Sequence, residues 1–120
     1  MSRLYLVLFF VAFSCFSGFS QNKIKKIIAF ADEQYKKGDY YYALEYYQQA
    51  LEKDSNSIDL FWKYAETQRA YKNYIEAERY YEKVYAREQT KLYPNSLLNL
   101  GLMQKQNGKY EKALKTFKLS

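Results

Sequence analysis

A short pattern of aromatic and small residues occurs three times along this chain of 120 residues, and it limits the possible folds more than any other feature. The pattern contains, in order, Gly38, Tyr40, Ala43, Tyr47 and Ala50, then Tyr74, Ala77, Tyr81 and Val84, and finally Gly108, Tyr110, Ala113, Phe117 and Ser120. Ala43 and Ala77 are 34 residues apart, and Ala77 and Ala113 are 36 residues apart. A period of this length is typical of solenoids in which helix-turn-helix units stack side by side. The sequence therefore predicts an all-α fold, an α-solenoid of antiparallel helix pairs with about three repeats, the last of them truncated.

Apolar residues between these positions recur with the period of an α-helix, and no alternating strand pattern accompanies them. Two residues fit helix N-caps: Ser57, and Asn73 with Glu76 three positions later, a spacing that lets the acid reach back to the N-cap backbone. Tight turns are predicted at residues 37–39, 72–73 and 107–109. The predicted helices cover residues 23–36, 40–53, 58–71, 74–89, 95–106 and 110–119.

Small residues recur at two places in each repeat, and a helix backbone can approach a neighbour closely only where the facing side chain is small. The two sets are Ala31, Ala65 and Gly101 on the first helices, and Ala43, Ala77 and Ala113 on the second. Bulky residues are expected to fill the space beside them, namely Phe30, Tyr64 and Leu100 on the first helices, and Tyr47, Tyr81 and Phe117 on the second. One helix pair cannot bury its own apolar face, so neighbouring pairs are expected to share a continuous core.

Three segments closely resemble the second half of a tetratricopeptide repeat. They are GDYYYALEYYQQALEKDSN at 38–56, KNYIEAERYYEKVYARE and GKYEKALKTFKLS. The resemblance covers about 24–120 and implies a repeat domain over 21–120, with repeats at about 24–57, 58–91 and 94–120. The position usually held by tryptophan in the family is Ile27, Phe61 and Leu97, and the usual mid-helix tyrosine is Gln34, Gln68 and Gln104. We interpret these glutamines as partners for helix-end or cross-helix polar groups.

The first helix of each pair lines the concave face in such solenoids, which places the predicted binding surface. Residues expected to line this partner-binding groove are Lys25, Ile28, Asp32, Tyr35, Lys36, Asp59, Trp62, Glu66, Arg69, Asn95, Leu98, Leu102 and Lys105. Their mixture of aromatic, aliphatic and charged groups suits an extended segment or a helix laid in the groove. Trp62 is the only tryptophan, and it either anchors a partner or packs locally between repeats.

A more specific binding mode of the family is not expected here. Members that bind chaperone tails hold a terminal carboxylate with lysine and asparagine at two groove positions. In this chain those two positions are Ile28 and Asp32.

The chain offers little for catalysis, and we expect no catalytic residue, no cofactor and no metal. It has no histidine, and the glycines are isolated. The neighbouring acids Asp32 and Glu33, and Glu76 and Glu78, are interpreted as solvated helix residues. Fifteen tyrosines on a chain of net charge +6 could suggest stacking on nucleic acid. Five of them, Tyr40, Tyr47, Tyr74, Tyr81 and Tyr110, fall on core positions, and four more, Tyr41, Tyr42, Tyr46 and Tyr80, lie around the second helices, so no nucleic-acid partner is expected.

Residues 1–20 differ from the remainder of the chain and have the pattern of a secretory signal peptide. Arg3 is followed by an unbroken apolar run over 4–13 and then by small residues before Gln21. The protein is therefore expected to be exported and periplasmic or outer-membrane-associated. Two alternatives remain open: an uncleaved membrane anchor, and lipidation at Cys15, the only cysteine.

A narrower resemblance extends this interpretation. The segments around 18–24, 38–51 and 97–114 are similar to the N-terminal repeat segment of Bacteroidota envelope proteins, in which tetratricopeptide repeats precede a β-propeller and an OmpA-like domain. The resemblance implies a non-enzymatic protein-protein interaction scaffold in the bacterial cell envelope, with another envelope protein as its partner. It also implies that the chain is the N-terminal module of a longer protein. The alternative is a membrane-tethered assembly factor, in contact with the membrane only through an uncleaved N-terminus. The truncated third repeat implies either a fragment or a partner that covers Leu114, Phe117 and Leu119.

Overall fold

The computed structural model describes residues 21–88 and 92–120, and these residues form six α-helices without a strand. The described part of the first helix, α1, covers 21–36. The helices that follow are α2 (Tyr40–Lys53), α3 (Ile58–Ala70), α4 (Tyr74–Glu88), α5 (Asn95–Gln106) and α6 (Tyr110–Leu119). From α2 onwards, each helix packs against the next one along the chain. The predicted all-α architecture of about three helix pairs is confirmed, and α3 ends one residue earlier than predicted. The predicted signal peptide at 1–20 lies outside the described residues.

All three helix pairs are closed by the same turn, in which two backbone hydrogen bonds cap the end of the first helix. In the first turn the Gly38 N–H donates to the Tyr35 carbonyl at 3.0 Å, and the Asp39 N–H donates to the Gln34 carbonyl at 2.9 Å. This is the Schellman arrangement, which requires a residue with positive φ just past the helix. The same two bonds run from Lys72 and Asn73 to Arg69 and Gln68, and from Gly108 and Lys109 to Lys105 and Gln104.

The two predicted N-caps are present, although one predicted detail is wrong. The Ser57 Oγ accepts a hydrogen bond from the Leu60 N–H at 3.3 Å, and the Asn73 Oδ1 accepts one from the Glu76 N–H at 3.5 Å. The expected return bond from Glu76 does not form, because the Asn73 N–H already donates to the carbonyl of the preceding helix. The Glu76 carboxylate instead lies 3.5 Å from Arg79.

The small residues occupy the most buried places in the stack, as the sequence predicts. Ala31, Ala43, Ala65 and Ala77 have no exposed surface, and Ala113 is 3% exposed. The bulky side chains around them form two clusters, each of which joins one repeat to the next. The first contains Leu44, Tyr47, Leu60 and Tyr64, and the second contains Tyr81, Leu97, Leu100 and Met103.

The third repeat shows how closely the two helices of a pair approach. A Cβ atom added to Gly101 would lie 2.5 Å from a ring carbon of Phe117. Real Cβ atoms are not found at that distance from a neighbouring carbon, so the ring could not keep its position beside an alanine. Glycine at this place therefore lets Phe117 cross directly over the backbone of α5.

Two side chains expected in the core are instead largely exposed. Phe30 is 44% exposed, and Tyr110 is 69% exposed. Phe30 contacts Tyr46 edge-to-face at 4.5 Å, and the equivalent Tyr64 contacts Tyr80 at 4.6 Å. Tyr64 is buried because further repeats lie on both sides of it, whereas no described helix covers the outer side of α1 or of α6. Leu114 and Leu119 are exposed on α6 for the same reason.

The interpretation of Glu78 as a solvated acid is wrong. Its side chain is 6% exposed, and it accepts hydrogen bonds from Lys109 at 2.7 Å and from Asn107 at 2.8 Å. Burial alone would raise the pKa of this carboxyl, but the two hydrogen bonds outweigh burial and the pKa lies below its ordinary value. This charged contact joins α4 to the turn of the next repeat.

The turn at Lys72 offers a test of the repeated cap. Lys72 has φ +68°, and among the described residues it is the only non-glycine with positive φ, whereas Gly38 and Gly108 have φ +79°. A side chain in this conformation costs about 1 kcal/mol, so Lys72→Gly is expected to raise the free energy of unfolding by roughly that amount. Chemical denaturation measures the change. Lys37→Gly, in the first turn at a residue with negative φ, is the control and should bring no gain; equal gains for both variants would contradict the argument.

Candidate functional site

A cavity of about 300 Å³ opens on the face formed by α1 and α3, where the groove is predicted. Its lining residues are Asp32, Tyr35, Lys36, Tyr47, Trp62, Lys63, Glu66 and Thr67. Five of these belong to the predicted groove, and three, namely Tyr47, Lys63 and Thr67, do not. The structure thus brings the central part of the predicted surface together around one opening.

Asp32 is the centre of a contact between the first and second repeats. Its carboxylate accepts a hydrogen bond from the Tyr47 hydroxyl. It also forms an ion pair with Lys63, whose Nζ lies 2.9 Å from both carboxylate oxygens. Burial, together with this bond to Asp32, raises the pKa of Tyr47 above its ordinary value. Asp32 is therefore engaged within the protein and is not a freely solvated acid, contrary to the interpretation from the sequence.

Glu66 makes the corresponding contact between the second and third repeats. One carboxylate oxygen accepts from the Asn99 amide at 3.0 Å, and the other lies 2.5 Å from the Arg69 guanidinium. Arg69 also donates from Nε to the Tyr81 hydroxyl at 3.0 Å. Burial lowers the pKa of Arg69, but the bonds to Glu66 and Tyr81 outweigh it and hold the guanidinium ionised. Burial and the nearby Glu66 carboxylate raise the pKa of Tyr81.

These two contacts are one arrangement repeated along the stack. The acids Asp32 and Glu66 each follow a buried alanine by one residue. Their partners Lys63 and Asn99 each precede the next small residue by two. Alignment of the repeats on Ala31, Ala65 and Gly101 therefore places both pairs in register. That alignment is the signal by which sequence reasoning could have found Lys63 and Asn99.

The third repeat has neither the acid nor the tyrosine of this arrangement. The residue that follows Gly101 is Leu102, where the earlier repeats have an acid. The residue equivalent to Tyr47 and Tyr81 is Phe117, which has no hydroxyl to donate. The acid and the tyrosine are thus present together or absent together: Tyr47 donates directly to Asp32, and Tyr81 is linked to Glu66 through Arg69.

Trp62 packs locally, as one of its two interpretations predicts, and it also lines the cavity, whereas its role as a partner anchor stays a prediction. Its ring stacks on Tyr93 with the centroids 5.3 Å apart and the planes 26° apart. The Tyr93 hydroxyl in turn donates to Asp59 at 3.1 Å. The indole N–H of Trp62 is buried and has no hydrogen-bond partner within the part of the chain that the structure describes. The stacking fixes the position of the indole at the edge of the cavity.

The remaining predicted groove residues lie on α1, α3 and α5. Ile28 is partly buried, and Leu98 and Leu102 are 44% and 38% exposed. Exposed charged or polar residues complete the set, namely Lys25, Lys36, Asp59, Asn95 and Lys105. We call Ile28, Trp62 and Leu98 the apolar row, because each precedes the small residue of its own first helix by three positions. Their role in binding a partner stays a prediction.

The repeated glutamines serve the expected role in one repeat. The buried Gln104 Oε1 accepts a hydrogen bond from the Thr116 hydroxyl at 2.6 Å, which joins α5 to α6. This is the cross-helix polar contact predicted from the sequence. The Gln68 carboxamide oxygen is also buried, but it has no hydrogen-bond partner among the described residues.

Residues 21–88 and 92–120 contain neither a candidate metal site nor a membrane-spanning helix. No group of three or more histidine, cysteine, aspartate or glutamate side chains is arranged to hold a metal ion there. None of the helices in that part of the chain combines the length and the apolar character needed to cross a membrane.

Comparison with solved structures identifies the architecture. One similar structure is the second TPR of Spaghetti (RPAP3), solved bound to the HSP90 peptide SRMEEVD. It is 22% identical to this chain with a TM-score of 0.71, and the match covers 83% of this chain and 93% of that one. The fold is a tetratricopeptide-repeat solenoid. The Sgt2 TPR domain from Aspergillus fumigatus is 18% identical with a TM-score of 0.68, over 81% of this chain and 63% of that one. The Yersinia enterocolitica type III secretion translocator chaperone SycD is 19% identical with a TM-score of 0.69, over 82% and 73%.

These structural likenesses concern the fold. No protein-family model matches the sequence, and a search of curated proteins finds no significant match.

The repeated contact at Asp32 predicts a specific coupling. Asp32→Leu leaves the Tyr47 hydroxyl buried without its partner, because Tyr47 is only 2% exposed. We expect a loss of about 1–3 kcal/mol in the free energy of unfolding, most of which Tyr47→Phe restores in the double variant. This pair of changes copies the Leu102 and Phe117 of the third repeat. Chemical denaturation of the two single variants and the double variant measures the coupling.

The control for this cycle is Glu33→Leu, next to Asp32 but exposed and paired only with Lys37. It should change stability by less than about 0.5 kcal/mol and add independently to Tyr47→Phe. Additive effects for Asp32→Leu and Tyr47→Phe as well would show that the two side chains do not depend on each other.

Proposed function

We propose that this protein is a protein-protein interaction scaffold that binds a segment of a partner in the groove formed by α1, α3 and α5. The observation that carries the proposal is the apolar row beside the cavity. Leu98 and Leu102 expose large apolar side chains on a face that also holds Trp62 and a cavity of about 300 Å³. Apolar and aromatic side chains in a concave surface are what a docked helix or extended segment requires.

The comparisons support a peptide or protein as the partner. The RPAP3 domain, which has the same fold, was solved with a peptide of HSP90 bound. The position at which chaperone-tail binders of the family hold a terminal carboxylate is occupied here by Asp32, which is itself a carboxylate paired with Lys63. Ile28 and Asp32 provide neither of the donor side chains, lysine and asparagine, that hold a terminal carboxylate, so the partner of this protein is a segment that needs no free C-terminus.

The proposed location is the bacterial cell envelope, with another envelope protein as the partner. What supports it is the pattern of residues 1–20, in which Arg3 precedes an apolar run and small residues come before Gln21. The resemblance of the repeat segments to the N-terminal part of Bacteroidota envelope proteins agrees with that pattern. In this proposal the chain supplies the repeat module, and catalysis is not part of its role.

A second candidate is a membrane-tethered assembly factor, which the length of the apolar stretch favours. Residues 4–19 are interrupted only by Ser14, Cys15, Ser17 and Gly18, and a span of about 20 residues is needed to cross the hydrocarbon core. N-terminal sequencing of the protein purified from its own cells distinguishes the two. Gln21 as the first residue agrees with export and cleavage, whereas an intact N-terminus in the membrane fraction would replace the first candidate by the second.

The groove itself is tested by adding charge to its exposed leucines. Leu98→Glu with Leu102→Glu leaves the core unchanged, because both side chains are partly in solvent, but it places two carboxylates on the binding face. We expect the amount of partner that is cross-linked to the protein in its own cells to fall about tenfold or more, since a buried charge at an interface is costly. Quantitative mass spectrometry of the cross-linked products measures this fall.

The matched control is Tyr42→Glu with Ile75→Glu, which changes two exposed large side chains on α2 and α4, outside the groove. Its cross-linked products should equal those of the unchanged protein. Circular dichroism confirms that both double variants fold. If the groove variant keeps its partners, or if the control loses them equally, the groove is not the binding surface.

A further inference from the structure

We infer that the groove selects a partner segment of defined chemistry: an apolar face bordered along one side by acidic residues. This inference rests on the proposed function and specifies the partner of the same surface. It follows from the side chains at successive positions of the three first helices, because equivalent positions in the repeats form rows that cross the groove. Lys36 lies one position beyond the place equivalent to Arg69 and Lys105.

The apolar row defines the direction in which a partner lies. Ile28, Trp62 and Leu98 occupy equivalent places on α1, α3 and α5, so together they form a band across the helices and not along one of them. Packed helices lie about 8–10 Å apart, so the band is about 20 Å long. A segment of about six extended residues, or about 13 residues of helix, covers that length.

The middle of the groove is electrically balanced. Next to the apolar row lie Asp32, Glu66 and Leu102, and the two acids are already neutralised by Lys63 and Arg69 within the protein. These carboxylates therefore offer little attraction to a basic partner, because a new cation would have to displace one that is already bound.

The edge of the groove at the C-terminal ends of the first helices is basic. Lys36, Arg69 and Lys105 lie in the last turns of α1, α3 and α5. Arg69 is paired with Glu66, whereas Lys36 and Lys105 are exposed and have no ion-pair partner among the described residues. The helix dipoles add about half a charge at each helix end, negative at this edge and positive at the opposite edge, and salt screens these partial charges within about one turn. The ammonium groups of Lys36 and Lys105 each carry a full charge on an exposed side chain.

The opposite edge carries no net charge. It consists of Lys25, Asp59 and Asn95, which occupy equivalent places at the N-terminal part of the same helices and comprise one cation, one anion and one neutral residue. The side-chain charge is therefore more positive on the Lys36 and Lys105 side of the apolar row than on the side of Lys25, Asp59 and Asn95. A partner with acidic residues on the side of Lys36 and Lys105 complements this difference, and charge complementarity of this kind sets orientation and specificity.

A second copy of this chain fits the groove poorly. The apolar residues of α6 that are free to dock, Leu114 and Leu119, are accompanied on that helix by Lys115 and Lys118. Docking α6 in the groove would place lysines against the basic edge. The occupant that the charges favour is thus a different protein.

The inference is tested by selecting partners without assuming their sequence. Random 14-residue segments displayed on phage are selected against the immobilised full chain, and the enriched segments are synthesised without tryptophan. Trp62, the only tryptophan, then reports binding by its fluorescence. We expect enriched segments to combine apolar residues with a clear excess of aspartate and glutamate. For these segments, Lys36→Glu with Lys105→Glu should raise Kd about tenfold or more.

The matched control is Lys115→Glu with Lys118→Glu, which makes the same charge change on α6, outside the groove. It should leave Kd within about twofold, allowing for the weak effect of distant charges in salt. Circular dichroism shows whether each variant retains its helices.

The outcomes separate the two claims. Enriched segments that are neutral or basic, with a Kd unaffected at Lys36 and Lys105 but raised by Leu98→Glu, would overturn the acidic preference and leave the scaffold function intact. Equal losses from the groove pair and the α6 pair would overturn the preference as well, because the effect would then be one of net charge. Failure to enrich any segment, or binding that Leu98→Glu does not weaken, would contradict the proposed function itself.

Discussion

The close approach of helix backbones at the small residues is the constraint on which the structure depends. Ala31 and Ala43 in the first repeat, and their equivalents in the others, are almost wholly buried, so each pair of helices meets where the side chains are smallest. The large side chains must then pack beside the contact, where tyrosines fill the space and extend towards the next repeat. This arrangement leaves the faces of α1, α3 and α5 turned to the same side, and the groove exists because of it.

The tyrosines show that the core of this protein is partly a polar structure. Tyr47 and Tyr81 place their rings in the apolar clusters while their hydroxyls reach charged groups at the base of the groove, Asp32 in one repeat and Arg69 in the next. A buried hydroxyl without a partner is costly, so Tyr47 depends on Asp32 and Tyr81 depends on Arg69. In the third repeat Phe117 needs no such partner, and its ring lies against Gly101. The same position thus fixes both the packing and the charge of the binding face.

The sequence predicts the fold closely because the signals it uses are local. Helical periodicity, the glycines at two turns and the caps at Ser57 and Asn73 each concern residues within a few positions of one another. The outer face of α1, where Phe30 is exposed, and the pairing of Asp32 with Lys63 depend instead on which helix lies alongside, about 30 residues away. For the candidate site, the sequence predicts five of the residues that line the cavity, namely Asp32, Tyr35, Lys36, Trp62 and Glu66. It does not show which charges are already paired, and that pairing decides what chemistry remains for a partner.

The interval between small residues is constant within the helix pairs but varies from one pair to the next. Within each helix pair, 12 residues separate the two small positions in all three repeats, as from Ala31 to Ala43. From one pair to the next the interval is 22 residues between Ala43 and Ala65 but 24 between Ala77 and Gly101. The hairpin is therefore the unit of constant length in this chain, whereas the junctions between hairpins accommodate two additional residues. A reporter or an affinity tag placed inside this protein would be accommodated at a junction and would break the register if placed within a hairpin.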